Sequence, residues 1–319
     1  MAGQPTGRDL HIDVLLTNLS IAYKNPGYIA DDIFPQVGVN KQSNRVPKYD
    51  QSHWFRSAAK KRAPGTESKR IGLSVDKEDT YYCDRFSLGF EIADEDRDNQ
   101  DAPFDLDRDA MEFVTDKMFM AREVAFVTDH FTTGKWGQDK AGGVDFTVFS
   151  DYAGSDPLGT YTDYRDSVEG KTAVEPNTAV FGKLVYSKLK WHPDLIDLIK
   201  YTQKGQLTPD LIASLLEFDR LLIGRAIQTT DPEGTPEANV TYTRIWGKNC
   251  LLLYVPQRPS LMTPAAGYTF VWQRVATALQ YIKRMREEKR EVDIIEINSY
   301  FDQKITAKNS GLFMSGAVA

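Results

Sequence analysis

A mixed α+β fold is what this sequence predicts, and three observations carry the prediction. Period-two alternation marks Ile71, Leu73 and Val75, and again Phe86, Leu88, Phe90 and Ile92. The stretch from Pro103 to Phe131 keeps helical spacing, roughly 40 Å of helix at 1.5 Å per residue. From Thr178 onward, short apolar runs alternate with helical ones.

The elements follow in chain order. The segment from Lys41 reads as one side of a long hairpin arm, with its tip at 58–65 and a turn at Pro64-Gly65. Its two apolar alternations have opposite parity, which places a bulge or bend around Cys83 to Arg85. A ribbon of this length cannot bury both faces alone and needs a partner surface. The long helix carries Pro103 in its first turn and Asp101, Asp105, Asp107 and Asp109 at its positive dipole end. Its expected apolar face is Leu106, Ala110, Phe113, Lys117 or Met118, Ala121 and Ala125. Thr132 to Thr160 reads as loop or weak hairpin. Then come a buried strand at 178–181, a helix from Lys183 to Leu189 broken at His192-Pro193, and helical spacing again from Pro193 to Tyr201. Thr208-Pro209 caps a helix over 210–218. Arg220 to Ile227, Cys250 to Val255, Tyr268 to Trp272 and Val292 to Ile297 have strand character, with a charged, solvated stretch from Lys283 to Glu291.

Length and composition bound the function. A chain of 319 residues suggests about two domains and buries roughly three-quarters of its unfolded surface without help from metals or disulfides. Apolar residues make up 41% and charged ones 26%, which suits a globular chain. No apolar run is long enough to span a membrane, and Met1 to Leu10 lacks the apolar core of a signal peptide. Two cysteines, Cys83 and Cys250, form no C-x-x-C pair and fit a reducing compartment as core residues. A net charge of −6 argues against a dedicated nucleic-acid binder.

Charge is segregated along the chain. Lys41 to Arg62 holds seven basic residues and one acid, a net +6, whereas Glu91 to Asp116 holds eleven acids and two arginines, a net −9. Segments of opposite sign attract each other, within a molecule or between copies. The candidate interface residues are therefore Arg45, Lys48, Trp54, Arg56, Lys60, Lys61 and Arg62 on the arm, with the apolar Ile71, Leu73 and Val75. Facing them are Glu91, Asp94, Glu95, Asp96, Asp98, Asp101, Asp105, Asp107 and Asp109.

Enzyme chemistry has little to stand on. The histidines, His11, His53, His130 and His192, form no zinc motif, and neither a nucleophile elbow nor a phosphate loop is present. No cofactor is expected. Asp94 to Asn99 imitates the start of an EF-hand loop but lacks the glycine at position six and the glutamate at position twelve. A metal-dependent hydrolase built on the acids from Asp94 to Asp109 is the alternative of another class. Those acids crowd one loop and a helix start, and the reading preferred for them is an acidic loop capping the long helix.

Several segments resemble a known family. Asn25 to Pro35, followed by Val37 and Val39, is similar to the N-terminal arm of tailed-bacteriophage major capsid proteins. Phe90 to Pro103 resembles the approach to their spine helix, and Ala121-Arg122-Glu123 its middle. Pro176 to Gly182, Leu189 to Asp194 and Ile199 to Thr202 resemble their axial domain, and Phe301 to Lys304 and Ser310 to Phe313 their C-terminal strands.

The resemblance implies the Hong Kong 97-like capsid fold. Its parts would be an N-terminal arm (1–40), an extended E-loop hairpin (41–90), a peripheral domain with the spine helix (91–160), an axial domain (161–262), and a return to the peripheral domain with the C-terminal strands (263–319). It implies hexamers and pentamers closing an icosahedral shell around double-stranded DNA, assembled in a host bacterial cytoplasm and ending in the virion. The expected partners are copies of the chain itself, weakly held DNA, a portal, a separate scaffolding protein and decoration proteins, with no membrane. An encapsulin-like bacterial shell shares the fold and is the nearest alternative. Some family members cross-link an arm lysine to an asparagine, for which Lys60 or Lys61 with Asn298 or Asn309 would be the pairs here.

Overall fold

The structure, a computed structural model, describes residues 27–46, 48–49, 53, 55–59, 61–72, 75–76, 78–99, 105–199, 207–232, 234–258, 265–273 and 279–319. Its helices in chain order are α1 (Ala30–Ile33), α2 (Asp94–Asp98), α3 (Leu106–His130), α4 (Pro157–Thr172), α5 (Lys183–Leu189), α6 (Pro193–Ile199) and α7 (Pro209–Leu215). Its strands are β1 (Gln36–Val39), β2 (Ser43–Arg45), β3 (Lys48–Tyr49), β4 (Val75–Asp76), β5 (Thr80–Tyr82), β6 (Asp84–Ala93), β7 (Gln138–Ala141), β8 (Thr178–Gly182), β9 (Arg220–Gly224), β10 (Ile227–Gln228), β11 (Thr243–Arg244), β12 (Cys250–Leu253), β13 (Gly267–Trp272), β14 (Gln280–Glu287), β15 (Val292–Ile305) and β16 (Gly311–Ser315).

Two five-stranded sheets organise the chain. In the first, the 14-residue β15 pairs with β13 and β14 on one side and with β6 on the other, and β1 adds to β13 in parallel. In the second, the order is β7-β16-β12-β8-β9, with parallel pairs at both ends and antiparallel pairs in the middle.

Helix α3 lies over the first sheet. Asp105 starts it by accepting the Arg108 N–H, so the helix begins three residues later than Pro103, which lies outside the described residues. Met111, Val114 and Met118 pack on Ile92, Ile282, Ile295 and Ile297. This corrects the predicted helix face by about one position. Phe113 is 52% exposed, with its ring edge-on to Phe90 and the Lys117 ammonium 5.3 Å from its centroid. The same face continues through Thr115, Arg122 and Glu123, all buried, and these polar residues hide it from an apolar count.

The second sheet is covered on both sides. Ala179, Phe181, Cys250, Leu252, Leu312 and Met314 face Tyr161, Val168, Val185, Leu189, Leu195 and Ile212 of α4 to α7. The opposite parity, Val180, Leu251, Leu253 and Phe313, faces Phe126, Phe131, Trp136 and Trp246, together with Ile29, Ile33 and Phe34. The C-terminal half of α3 and the segment 29–34 thus share a core with the second sheet. Large-to-small changes in cores of this kind cost about 2–5 kcal/mol each.

Two elements replace expected irregular chain. Helix α4 begins at Pro157, inside the stretch read as loop, where Asp156 accepts the Gly159 N–H at 2.9 Å. Its buried face is Tyr161, Tyr164, Arg165, Val168 and Thr172, too polar to register as amphipathic. Strand β14 takes in Lys283 to Glu287 of the charged stretch, because its arginines meet acids of the neighbouring elements. The expected break at Cys83 is present: β5 ends before it, β6 begins after it, and the chain changes strand partner there.

Candidate assembly surfaces

The arm is built from two short ladders, β2 with β5 and β3 with β4. Its root is anchored where Val46, Tyr81 and Cys83 pack with Phe270, Tyr281 and Tyr300, and the Tyr81 ring stacks on Phe270 at 4.6 Å. At the tip, Gly65 has φ +81° and Thr66 donates to the Ala63 carbonyl, the turn expected at Pro64-Gly65. Ile71 lies in irregular chain, so the strand that the alternation predicts does not extend to it.

The arm residues sit as follows. Arg45, Arg56, Lys61 and Arg62 are exposed, as are the apolar Phe55 (58%) and Ile71 (74%). Lys48 and Val75 take part in the β3–β4 ladder, partnered with Asp76 and Tyr49. Trp54, Lys60, Leu73 and Asp101 lie outside the described residues.

Much of the acidic segment is already paired within the chain. Arg290 holds Glu91 with two bonds of 3.0 and 2.7 Å, and Arg286 holds Asp94 with two of 2.5 Å. Arg97 bridges Asp107 at 2.8 Å and Asp293 at 2.5 Å, and Arg284 reaches the same two carboxylates at 3.1 Å. The Arg286 hydrogen bonds hold the Asp94 carboxyl below its ordinary range. Burial pushes Asp293 up, but the bonds from Arg97 and Arg284 outweigh it and the net shift is downward. Arginines between Lys283 and Glu291 therefore fasten β14 and the turn after it to β6, α2 and the start of α3.

What stays free is narrower than the sequence count. Glu95, Asp96, Asp98 and Asp109 are exposed and take no ion-pair partner among the described residues, and exposed Asp105 caps α3. Asp94 to Asp98 is a helix, which corrects the acidic loop. Carboxylates two apart on a helix point to different sides, so the EF-hand imitation has no convergent donor set. No cluster of three or more His, Cys, Asp or Glu side chains suited to a metal occurs among the described residues.

A buried node escaped the sequence reading. Glu123 is fully buried, and its carboxylate accepts the N–H groups of Ile29 (3.0 Å) and Ala30 (2.8 Å) and the indole N–H of Trp246 (2.5 Å). Burial raises its pKa to about 7 against the pull of these donors. Beside it, buried Arg122 reaches Asp31 at 3.1 Å and Gln280 at 3.0 Å, with its guanidinium 4.6 Å from the Phe119 ring centroid. The segment from 29 to 34 is thereby fastened to the middle of α3.

Two further candidates are placed. Asn298 is fully buried and its Oδ1 accepts from Arg85 at 2.6 and 2.8 Å, so it cannot reach an arm lysine of another copy; Asn309 is exposed. His192 is buried, with Nε2 2.9 Å from Ser155 Oγ and Nδ1 accepting the Asp194 N–H, a structural role at the α5–α6 break.

Comparison with known proteins adds to this geometry. Residues 135–299 match a family model described as phage major capsid protein E. A major capsid protein of Burkholderia phage BcepMu is 29% identical over 312 residues, covering 96% of each chain. Among solved structures, a phage-related protein from Bordetella bronchiseptica superimposes with a TM-score of 0.73 at 20% identity, over 97% of this chain and 98% of that one. The capsid of the cyanophage P-SCSP1u does so with a TM-score of 0.59 at 11% identity, over 90% and 87%. These likenesses show a capsid fold.

Proposed function

This chain belongs to the phage major capsid protein E family and builds a phage capsid shell, and from that premise we propose that its copies form hexamers and pentamers that close an icosahedral shell around double-stranded DNA. The observation that carries the reading is the family match over residues 135–299 together with a projecting arm that leaves Phe55 and Ile71 uncovered. An isolated domain gains nothing from such an arm, whereas a neighbouring copy supplies the missing surface.

In this reading the arm is the E-loop, α3 the spine helix and the α4–α7 sheet the axial domain. The arm rests on the next copy near the start of α3, where Glu95, Asp96, Asp98 and Asp109 take no ion-pair partner among the described residues. Exposed ion pairs contribute well under about 1 kcal/mol each, so their part is register and specificity. Apolar burial along the arm supplies stability, at about 25 cal/mol per Å² before association costs. Portal, scaffolding and decoration proteins complete the particle, which assembles in the host cytoplasm. No described helix is long and apolar enough to cross a membrane. The family of phage capsids favours a genome over the enzyme cargo of an encapsulin-like shell.

The test is charge reversal of Lys60, Lys61 and Arg62 to glutamate. Folded subunits that fail to form shells are the expected outcome. Normal shells from this variant would contradict the arm's role.

A further inference from the structure

Among the described residues, the elements around the second sheet carry two clusters of unpaired charge of opposite sign. β8 and β9 run parallel with Gly182 opposite Gly224, so Lys183 and Arg225 leave the sheet side by side. Arg244 joins them from β11, opposite Ile227, and Lys190 from the end of α5. The Lys183 ammonium lies 4.8 Å from the Tyr186 ring centroid, and that of Lys190 lies 5.7 Å from the ring of Trp191, which is 64% exposed. None of these four cations takes an ion-pair partner among the described residues. They also crowd one another: burial, then Arg225, Arg244 and Lys190, hold Lys183 below its ordinary pKa.

The acidic cluster lies on α4, which crosses one face of the same sheet. Its Ser167 and Gln138 of β7 bind each other through side chain and backbone at 2.6 and 3.0 Å, whereas Tyr161 near its start lies against Phe181 of β8 and donates to Cys250 of β12. With Tyr161, Tyr164, Arg165 and Val168 turned inward, Asp163, Asp166 and Glu169 face outward at i, i+3 spacing. They too have no ion-pair partner among the described residues.

We propose that these two surfaces dock onto each other between copies: Lys183, Lys190, Arg225 and Arg244 of one subunit meet Asp163, Asp166 and Glu169 of the next. A contact between two different surfaces of the same chain is heterologous, and repeating it closes a ring where the rotation between neighbours divides a full turn. The inference rests on the shell-forming reading and names the partner of this face as a second copy. The charges select the neighbour and its register, and they steer encounter.

Three variants test it in parallel with wild type: Lys183→Glu/Arg225→Glu/Arg244→Glu, Asp163→Lys/Asp166→Lys/Glu169→Lys, and the six changes combined. Each triple reversal should lower the assembly rate at least about tenfold, as loss of steering does, with an unchanged melting curve of the free subunit. The combined variant should assemble again. Wild-type rates in either triple variant, or a combined variant no better than the triples, would overturn the pairing. So would normal shells of the basic-side variant that lose only bound DNA, since the cluster would then face nucleic acid. If the triples fail to fold, Arg225→Gln/Arg244→Gln on exposed side chains serves instead: a slower, less salt-dependent assembly supports the pairing and an unchanged one overturns it. Wild type that never forms particles would defeat the shell reading itself, whereas wild-type particles with indifferent variants defeat only the charge pairing.

Discussion

Trp246 donates its indole N–H to Oε1 of Glu123 at 2.5 Å, joining a loop of the second sheet to the middle of α3 across 123 residues of sequence. The same carboxylate caps the backbone of Ile29 and Ala30. One buried group therefore holds three distant parts of the subunit in a fixed relation. Glu123→Ala would leave three buried donors without an acceptor and should cost about 3 kcal/mol or more in a denaturant titration.

Glu123 also sets a pH dependence. Its pKa rises from 4.5 to about 7 on folding, with burial as the main cause and Asp31 adding to it. Between those values the folded state holds more protons than the unfolded one. The group's contribution to stability is thus complete below pH 4.5 and is lost as the pH rises through 7. Glu123→Gln cannot ionise, so the melting temperature of wild type should fall relative to that of the variant between pH 5 and 8. Parallel curves would refute the shift.

The register of α3 makes a second prediction. Met111 is fully buried, whereas Phe113 is half-exposed on the helix flank. Met111→Ala should cost about 2–5 kcal/mol and Phe113→Ala well under that, despite the larger side chain. Equal losses in chemical denaturation would put the helix in the register first expected.

Gly224 offers a third. A Cβ there would stand 2.1 Å from Cγ of the Trp246 ring, which is itself buried against Phe126 and Phe131. Gly224→Ala should destabilise by about 1–3 kcal/mol through overpacking. The fluorescence maximum of the variant should shift as Trp246 moves. A neutral substitution would contradict the packing.

Asp293 offers a fourth. It receives Arg97, Arg284 and Arg286 and is mostly buried. Asp293→Asn should cost about 1–3 kcal/mol at low ionic strength, falling at 1 M salt. Because the pKa values of Asp94 and Asp293 are both lowered by folding, their contribution is present at neutral pH and lost only as the pH drops through the carboxylate range. A variant indifferent to salt would contradict the network.

Local signals were readable where one residue pair carried them. Thr208-Pro209 announced α7, and Thr208 does accept the Leu211 N–H. Asp156-Pro157 is the same signal for α4, but the helix behind it buries Tyr164, Arg165 and Thr172 in place of a plain apolar stripe, which hides it. Strand β14 was masked by its arginines, whose partners Asp94 and Asp107 are almost two hundred residues away along the chain. The acidic segment was legible as charge but not as pairing: Arg290 and Arg286 neutralise Glu91 and Asp94 only after β15 has brought them together. Glu123 left no local trace, since its three donors come from segments about 94 and 123 residues away.

The most direct test of the central claim is the mass of purified, full-length protein. Size-exclusion chromatography with light scattering, followed by negative-stain microscopy of the largest peak, reads it. Uniform closed particles of megadalton mass, or rings of five and six subunits, are the predicted result. A 36.1 kDa monomer at every salt concentration, with no particles on crowding, would contradict it.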